Sequence, residues 1–340
     1  MIKTHLKNAM DGATFSQREA QSIMDQIMSG NVTSSQIASL LTLLKMRGET
    51  VEELTGFAKS MRKHAIAFPV NLHDTVDTCG TGGDGSGTFN ISTASAIVMA
   101  SLGVKVAKHG NRSFSSKSGS ADVLERLNMP TQSGVEEAMR ALKEHSMTFL
   151  FAPLYHPAMK HAIGPRKEIG FRTVFNILGP LCNPAGCHRQ LIGVYDSQLA
   201  SKMAEVVQRL GIKKAMIVSG DDGLDECTIT TTTSILEVTP NRIKTYKIHP
   251  EDVGLSTSHL KDIQVDSPEA SAELIRKVFS NSSNLAAKNI VILNGAAGLV
   301  AADKAVDFKT AVPIVREAIE SGLVERHYNN MTHVQERFYA

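Results

Sequence analysis

The sequence predicts an α/β fold: a small all-helical domain plus a large α/β domain with a mainly parallel central sheet flanked by helices. Three features of the 340 residues carry that expectation. The first 66 residues show only helical periodicity, strand and helix patterns alternate from Thr75 onward, and the chain ends in helical runs. A helical layer this thin has little core of its own and must dock on another domain or subunit. Alternating strands and helices with short links build a parallel sheet covered on both faces.

In the first segment, Ser16-x-x-Glu19, Thr33-x-x-Gln36 and Thr50-x-x-Glu53 have capping-box spacing, in which side chains satisfy the open N–H groups of a helix start. Each precedes an apolar run at helical spacing: Ala20/Ile23/Met24/Ile27, Ile37/Leu40/Leu41/Leu44 and Val51/Leu54/Phe57/Met61. Gly30 and Gly48 stand where C-terminal caps belong. A strand at Thr75–Cys79 then enters a glycine-rich loop, followed by a helix at Ser92–Leu102 and a strand at Val104–Ala107. Helices at Ala121–Leu127 and Val135–Glu144 lead to a strand at Met147–Phe151. Later strands are expected at Leu191–Tyr195 and Ala215–Val218, around a helix at Leu199–Leu210. Ile235–Val238 and Arg242–Ile248, joined through Pro240-Asn241, read as an edge hairpin. Pro268–Phe279, Ala286–Ala301 and Ala311–Ser321 read as the closing helices. No strand pattern appears between Tyr155 and Asn183, so that stretch is expected to rejoin the N-terminal layer. The expected division is a helical domain of residues 1–70, joined by a helical segment at about 155–185, and an α/β domain of 71–154 and 186–340.

Composition excludes several classes. With 36 Lys plus Arg against 34 Asp plus Glu, the net charge of +2 speaks against a globally basic nucleic-acid binder. Four dispersed cysteines (Cys79, Cys182, Cys187, Cys227) form no CxxC pair or zinc-ligand pattern and suit a reducing compartment. Met1 to Gly12 is polar, and the longest apolar stretch, Ala94 to Ala107, is too short and too polar to span a bilayer. A cytoplasmic protein without membrane or nucleic-acid partners is expected.

The chemistry is concentrated in four segments. Gly80, Gly82, Gly83, Gly85 and Gly87 fall within eight positions between a strand and a helix, where bare backbone N–H groups and a helix N-terminus suit an anion. Gly80-x-Gly82-x-x-Gly85 matches a dinucleotide fingerprint, but Lys108-His109 stands where that fingerprint requires an acidic residue. No Gly-Lys-Ser/Thr follows the glycines, so a Walker A loop is excluded too. The second segment, Lys108 to Ser120, has five serines in its last eight residues. No carboxylate lies between Asp84 and Asp122, while Lys105, Lys108, Arg112 and Lys117 are cationic. Two anion loops at adjacent strand ends suggest a ligand with two phosphate groups. In the third segment, Asp221-Asp222-Gly223-Leu224-Asp225-Glu226 crowds four carboxylates into six positions. Beside phosphates that crowding points to magnesium, with Asp225-Glu226 the better ligands. In the fourth, Arg166 follows Gly164-Pro165 and reads either as an ordinary surface arginine or as one at a helix start, aimed into a cleft where a guanidinium among apolar groups suits an aromatic carboxylate. No Ser-His-Asp arrangement is present, so the chemistry is positioning and charge stabilisation.

Together, Gly80-Thr-Gly-Gly-Asp84, Asn90-Ile-Ser-Thr93, Lys108-His-Gly-Asn-Arg112, Ser115-Ser-x-Ser-Gly-Ser120, Asp225-Glu226 and Arg172-Thr-x-x-Asn176…Gly179-Pro…Asn183-Pro-Ala185 resemble the anthranilate phosphoribosyltransferases over essentially the whole chain. The run Thr230-Thr-Thr-Thr233 is more threonine-rich than that pattern. The resemblance implies the nucleoside phosphorylase class III type of fold (glycosyltransferase family 3). It also implies Mg²⁺-dependent transfer of the phosphoribosyl group of 5-phosphoribosyl-1-diphosphate (PRPP) to anthranilate in tryptophan biosynthesis. By resemblance, PRPP would lie on Gly80, Gly83, Asp84, Thr88, Asn90, Ile91, Ser92, Thr93 and Lys108, then on His109, Gly110, Asn111, Arg112, Ser113, Phe114, Ser115, Ser116 and Ser120. Anthranilate would meet Gly80, Asn111 and Arg166; Ser92, Asp225 and Glu226 would hold magnesium, with about two ions per subunit alongside PRPP. Lys108, Asn111 and Arg166 would act by positioning. A homodimer through the helical layer is implied, and association with anthranilate synthase is left open. The competing readings are a pyrimidine nucleoside phosphorylase, against which the Asp225-Glu226 pair counts, and a non-catalytic nucleic-acid-binding relative, against which the neutral charge counts.

Overall fold

A computed structural model of the chain describes residues 2–69, 72, 74–112 and 118–336. Helices α1 (Ile2–Met10), α2 (Gln17–Met28), α3 (Ser34–Arg47) and α4 (Val51–His64) form the N-terminal layer. The three expected capping boxes are all made: Ser16 with Glu19, Thr33 with Gln36 and Thr50 with Glu53. Helix α1 was legible and overlooked: Ile2, Leu6 and Ala9 recur at helical spacing and pack on the core of the layer, but no capping box marks its start. Then come β1 (Val76–Gly80), α5 (Ile91–Ser101), β2 (Val106–Gly110), α6 (Ser120–Arg126), α7 (Val135–His145) and β3 (Met147–Phe151). The stretch after β3 is helical: α8 (Ala152–Tyr155), α9 (Lys160–Ile169) and α10 (Val174–Leu178). Helix α9 packs on α2 and α3, and α10 on α3 and α4, so these short helices share one apolar core with the N-terminal layer.

The remaining elements are β4 (Arg189–Gly193), α11 (Ser197–Arg209), β5 (Lys214–Gly220), β6 (Thr233–Thr239), β7 (Arg242–Ile248), α12 (Pro268–Phe279), α13 (Leu285–Ala301), α14 (Phe308–Glu320) and α15 (Leu323–Glu336). Among the described residues the strands form one seven-stranded sheet in the order β3-β2-β1-β4-β5-β6-β7. The first five strands are parallel, and β6 and β7 close the edge as an antiparallel hairpin. One face of the sheet is covered by α5 and α13, the second of which is buried along almost its whole length. The other face carries α11 and the helical layer.

Strands β1, β5 and β6 depart from their expected bounds by one or two residues at their ends, and β2 and β4 are shifted along the chain. Strand β2 does not end at Ala107 but runs on through Lys108, His109 and Gly110, which pair with Phe149, Leu150 and Phe151 of β3. Polar residues suggested a loop there; the backbone is a buried strand because those side chains have protein partners. Strand β4 begins two residues earlier than expected and stops at Gly193 rather than Tyr195. Among the described residues no helix is long and apolar enough to cross a membrane.

Candidate active site

The chain leaves β1 for β2 and β3 on one side of the sheet and returns as β4 on the other, so the order reverses between β1 and β4. A crevice at the carboxyl ends of the strands is expected at such a point. Here it is widened. Strands β1 and β2 pair only at Val76 and Val106 and then part. Side chains fill the gap in the ladder. The buried Asp77 carboxylate accepts the His109 N–H at 3.0 Å, Asn183 donates to the Ala107 carbonyl at 2.8 Å, and Lys108 Nζ donates to the Thr78 carbonyl. Burial lifts the Asp77 carboxyl to about 6, against the opposing bonds from Asn183 and His109 and the charge of Lys108. Sequence reasoning missed Asp77; an acidic residue within a strand that leads directly into a glycine loop was the available signal.

A cavity of about 480 Å³ opens above this gap, between the sheet and α9–α10. Gly80 and Gly193 face each other in register at the ends of β1 and β4. The Asp225 segment lies directly on them: a Cβ on Gly193 would overlap the Asp225 carbonyl, and one on Gly80 would come within 2.6 Å of Asp225 Oδ2. These glycines are therefore needed for close approach. The Gly82 N–H donates to Asp225 Oδ2 at 2.8 Å, joining the glycine loop to the acidic pair. At the start of α5, Asn90 caps the Thr93 N–H at 3.1 Å, and Ser92 Oγ accepts a hydrogen bond from Lys108 Nζ at 3.0 Å. Lys108 is only 1% exposed, so it acts as a fixed positive charge below the cleft and spends its protons on Thr78 and Ser92.

The acidic turn divides into two halves. Asp221 pairs with Lys247 at 2.8 Å, and Asp222 accepts the hydroxyls of Thr228 and Thr230, while Thr233 Oγ1 receives the Thr228 N–H. The threonine-rich run thus anchors the structural half of the turn. Asp225 and Glu226 line the cleft instead. Burial, with repulsion from Asp84, raises Asp225 to about 7; burial, with repulsion from Asp225 and Asp84, raises Glu226 well above its ordinary range. Among the described residues no three His, Cys, Asp or Glu side chains form a ready-made metal site. Two enclosed carboxylates beside the Ser92 hydroxyl are all-oxygen donors whose charge Lys108 offsets only in part. They fit magnesium, which takes one or two carboxylates and completes its shell with phosphate oxygens and water.

The opposite wall comes from α9 and α10. Arg166 lies in the last turn of α9, with Gly164-Pro165 inside the helix, not at a helix start as the sequence suggested. Its guanidinium sits 5.1 Å from the centroid of the Phe175 ring on α10, and burial lowers its pKa. His109 and His156 form the floor, their rings 5.1 Å apart. The Gly179 carbonyl can only accept, so His109 Nδ1 carries the proton toward it, at 3.2 Å. Burial depresses His109 to about 3 and His156 to about 4, so both are neutral at pH 7.

Such histidines stabilise the fold fully above pH 6.5 and lose that contribution as pH falls, through about 4 for His156. In a comparison of unfolding free energies, His156→Asn should therefore flatten the acid limb. The wild type should lose stability relative to the variant by up to about 1.4 kcal/mol per pH unit below 6.5. Parallel curves for the two proteins would contradict a buried neutral His156.

The structure brings together around one cavity Gly80, Gly83, Asp84, Thr88, Asn90, Ile91, Ser92, Lys108, His109, Gly110, Asn111, Arg112, Ser120, Arg166, Asp225 and Glu226. Thr93 does not line it; it is fully buried and serves the cap of α5. Arg112 reaches the rim but holds Asp122 at 2.9 Å and Glu125 at 2.5 Å. Ser113, Phe114, Ser115 and Ser116 lie outside the described residues.

A helical bundle laid against this sheet, with the cleft between them, matches the two domain models of one glycosyl transferase family. The helical bundle domain of that glycosyl transferase family matches residues 3–65, and its a/b domain matches residues 72–324. Individual relatives narrow the class. An anthranilate phosphoribosyltransferase from Shouchella clausii is 55% identical over 331 residues, 97% of each chain. The crystal structure of the Thermus thermophilus anthranilate phosphoribosyltransferase superposes with a TM-score of 0.90 at 37% identity, covering 96% of this chain and 98% of that one. The Saccharomyces cerevisiae enzyme, solved in complex with PRPP and Mg, gives 0.87 at 25% identity, covering 98% and 97%. The chain belongs to the anthranilate phosphoribosyltransferase family.

Proposed function

We propose that this chain transfers the 5-phosphoribosyl group of PRPP to the amine of anthranilate, giving N-(5-phosphoribosyl)anthranilate and diphosphate, a step of tryptophan biosynthesis. The observation that carries the reading is one cleft in which a glycine loop, the fixed charge of Lys108 and the Asp225-Glu226 pair face Arg166 on its aromatic platform.

In this reading the glycine loop from Gly80 and the start of α5 at Asn90, Ile91 and Ser92 receive the phosphates. Ser120, at the first position of α6, bounds the far end. Ser92, Asp225 and Glu226 hold Mg²⁺, two ions being the expected number with PRPP bound. Bound there, the metal supplies charge neutralisation for the departing diphosphate. The chain's own groups do the rest. Lys108 holds Ser92 Oγ in place and offsets the field of Glu226. Arg166 grips the acceptor carboxylate, Phe175 supports the guanidinium, and Asn111 aims the ring. The aromatic amine is already neutral at pH 7, so no strong base is needed before it attacks the sugar as the bond to diphosphate lengthens. The hydrophobic side chains of α9 and α10 exclude water, the competing nucleophile.

Cytoplasmic location and pairing of two chains through the helical layer belong to the same reading. Exposed Met10 on α1 and Met46 on α3 support the pairing, and the free cysteines support a reducing compartment. Packing of α9 and α10 on the N-terminal helices supports a helical domain of 1–70 with 155–185. The decisive experiment follows anthranilate fluorescence with purified protein, PRPP and Mg²⁺. The signal should fall only when all are present; a constant signal at every metal concentration removes the assignment.

A further inference from the structure

The Arg172-Thr-x-x-Asn176 segment plays no part in the mechanism above, yet it reaches the site from the helical side. Arg172 lies in the turn between α9 and α10. Its guanidinium donates to the Gly83 carbonyl and stands 5.7 Å from the centroid of the Tyr195 ring, just beyond β4. Gly83 has φ +89°, and any Cβ there would overlap the guanidinium, so arginine and loop are fitted to each other. The turn that presents Arg172 is itself pinned. Gly170 closes α9 in the left-handed region, and Thr173 opens α10 with its N–H on Asn176 Oδ1 at 3.0 Å. On its other side the loop is held by the Gly82 bond to Asp225.

A trans peptide is planar, so fixing the Gly83 carbonyl toward Arg172 turns the Asp84 N–H to the opposite side. We infer that Arg172 is a positioning residue: from the helical layer it sets the Gly83–Asp84 peptide in the orientation that binds the diphosphate of PRPP. The inference rests on the proposed function for its ligand, though not for its geometry. Arg166 and Phe175 flank the same turn, so the corner that grips the acceptor also holds the donor's loop.

The test compares Arg172→Ala, Arg172→Lys and Tyr195→Leu with the wild type, by substrate KM values and by hydrogen exchange of the ligand-free proteins. Arg172→Ala should raise the KM for PRPP about 10- to 100-fold while that for anthranilate stays within about twofold, a split that general destabilisation does not produce. Arg172→Lys keeps a donor but loses the planar fork and the stacking, so it should recover only part of the loss. Tyr195→Leu keeps the arginine and removes its shelf; it should shift the PRPP KM in the same direction, and it carries the test if Arg172→Ala does not fold. Amides of residues 82–87 should exchange faster in the variants, while those of β2 stay protected. Equal rises in both KM values, or an unchanged loop exchange, would overturn the role. A wild type inactive with PRPP and anthranilate would instead remove the functional reading, leaving the exchange result to judge the arginine's hold on the loop.

Discussion

Replacing Asp225 by Asn and Glu226 by Gln together should lower kcat/KM by about 10³-fold and abolish the response to Mg²⁺. The same double variant should unfold at a higher temperature than the wild type when both are metal-free. The two outcomes have one cause. Two adjacent carboxylates face an enclosed cleft beside Asp84, and each pays for burial and repulsion that no protein cation fully cancels. Amides of the same shape keep the Gly82 N–H partner through the Asn oxygen but carry no charge, so the fold gains what the site loses. Activity as a function of Mg²⁺ concentration and thermal unfolding in chelator are the two measurements. A variant that keeps a magnesium-dependent rate, or that is destabilised without metal, would show that this pair is structural. Asp222→Asn serves as the control from the same turn. It breaks the bonds from Thr228 and Thr230 and should cost stability while leaving the magnesium response in place.

The contrast between Asp222 and Asp225 also shows what could be read from the chain alone. Four carboxylates in six positions announced a special turn, but Asp221 finds its lysine 26 residues away and Asp222 its threonines further along, and only folding reveals that division. Local signals did well. The capping boxes of α2, α3 and α4 depend on residues three apart, and the hairpin of β6 and β7 on its own turn. The polar strand was misplaced for the opposite reason. Lys108 and His109 belong to β2 because Thr78, Ser92, Asp77 and Gly179, all distant in sequence, satisfy their side chains or backbone. Helix α15 was legible and overlooked: Val324, Tyr328 and Met331 are buried at helical spacing. Arg166 does line the cleft, but from a different local geometry than expected, since a proline inside a helix reads as a helix start.

That same arginine carries the largest expected effect on a substrate's affinity. Arg166→Ala should raise the KM for anthranilate by about 100-fold, equivalent to about 2.7 kcal/mol, with the KM for PRPP within about twofold. A guanidinium partly withdrawn from water, resting on Phe175, is poised to bind an anion. A planar carboxylate answers it with two parallel bonds, which a lysine cannot reproduce, so Arg166→Lys should recover less than half of the lost free energy. The acceptor itself supplies a sharper test. Aniline has the same nucleophile without the carboxylate, and the wild type should favour anthranilate over aniline by about the factor that Arg166→Ala removes. In the variant the two acceptors should become nearly equivalent. If the preference for anthranilate survives the loss of Arg166, the carboxylate is read elsewhere in the cleft, with Asn111 the next group to replace.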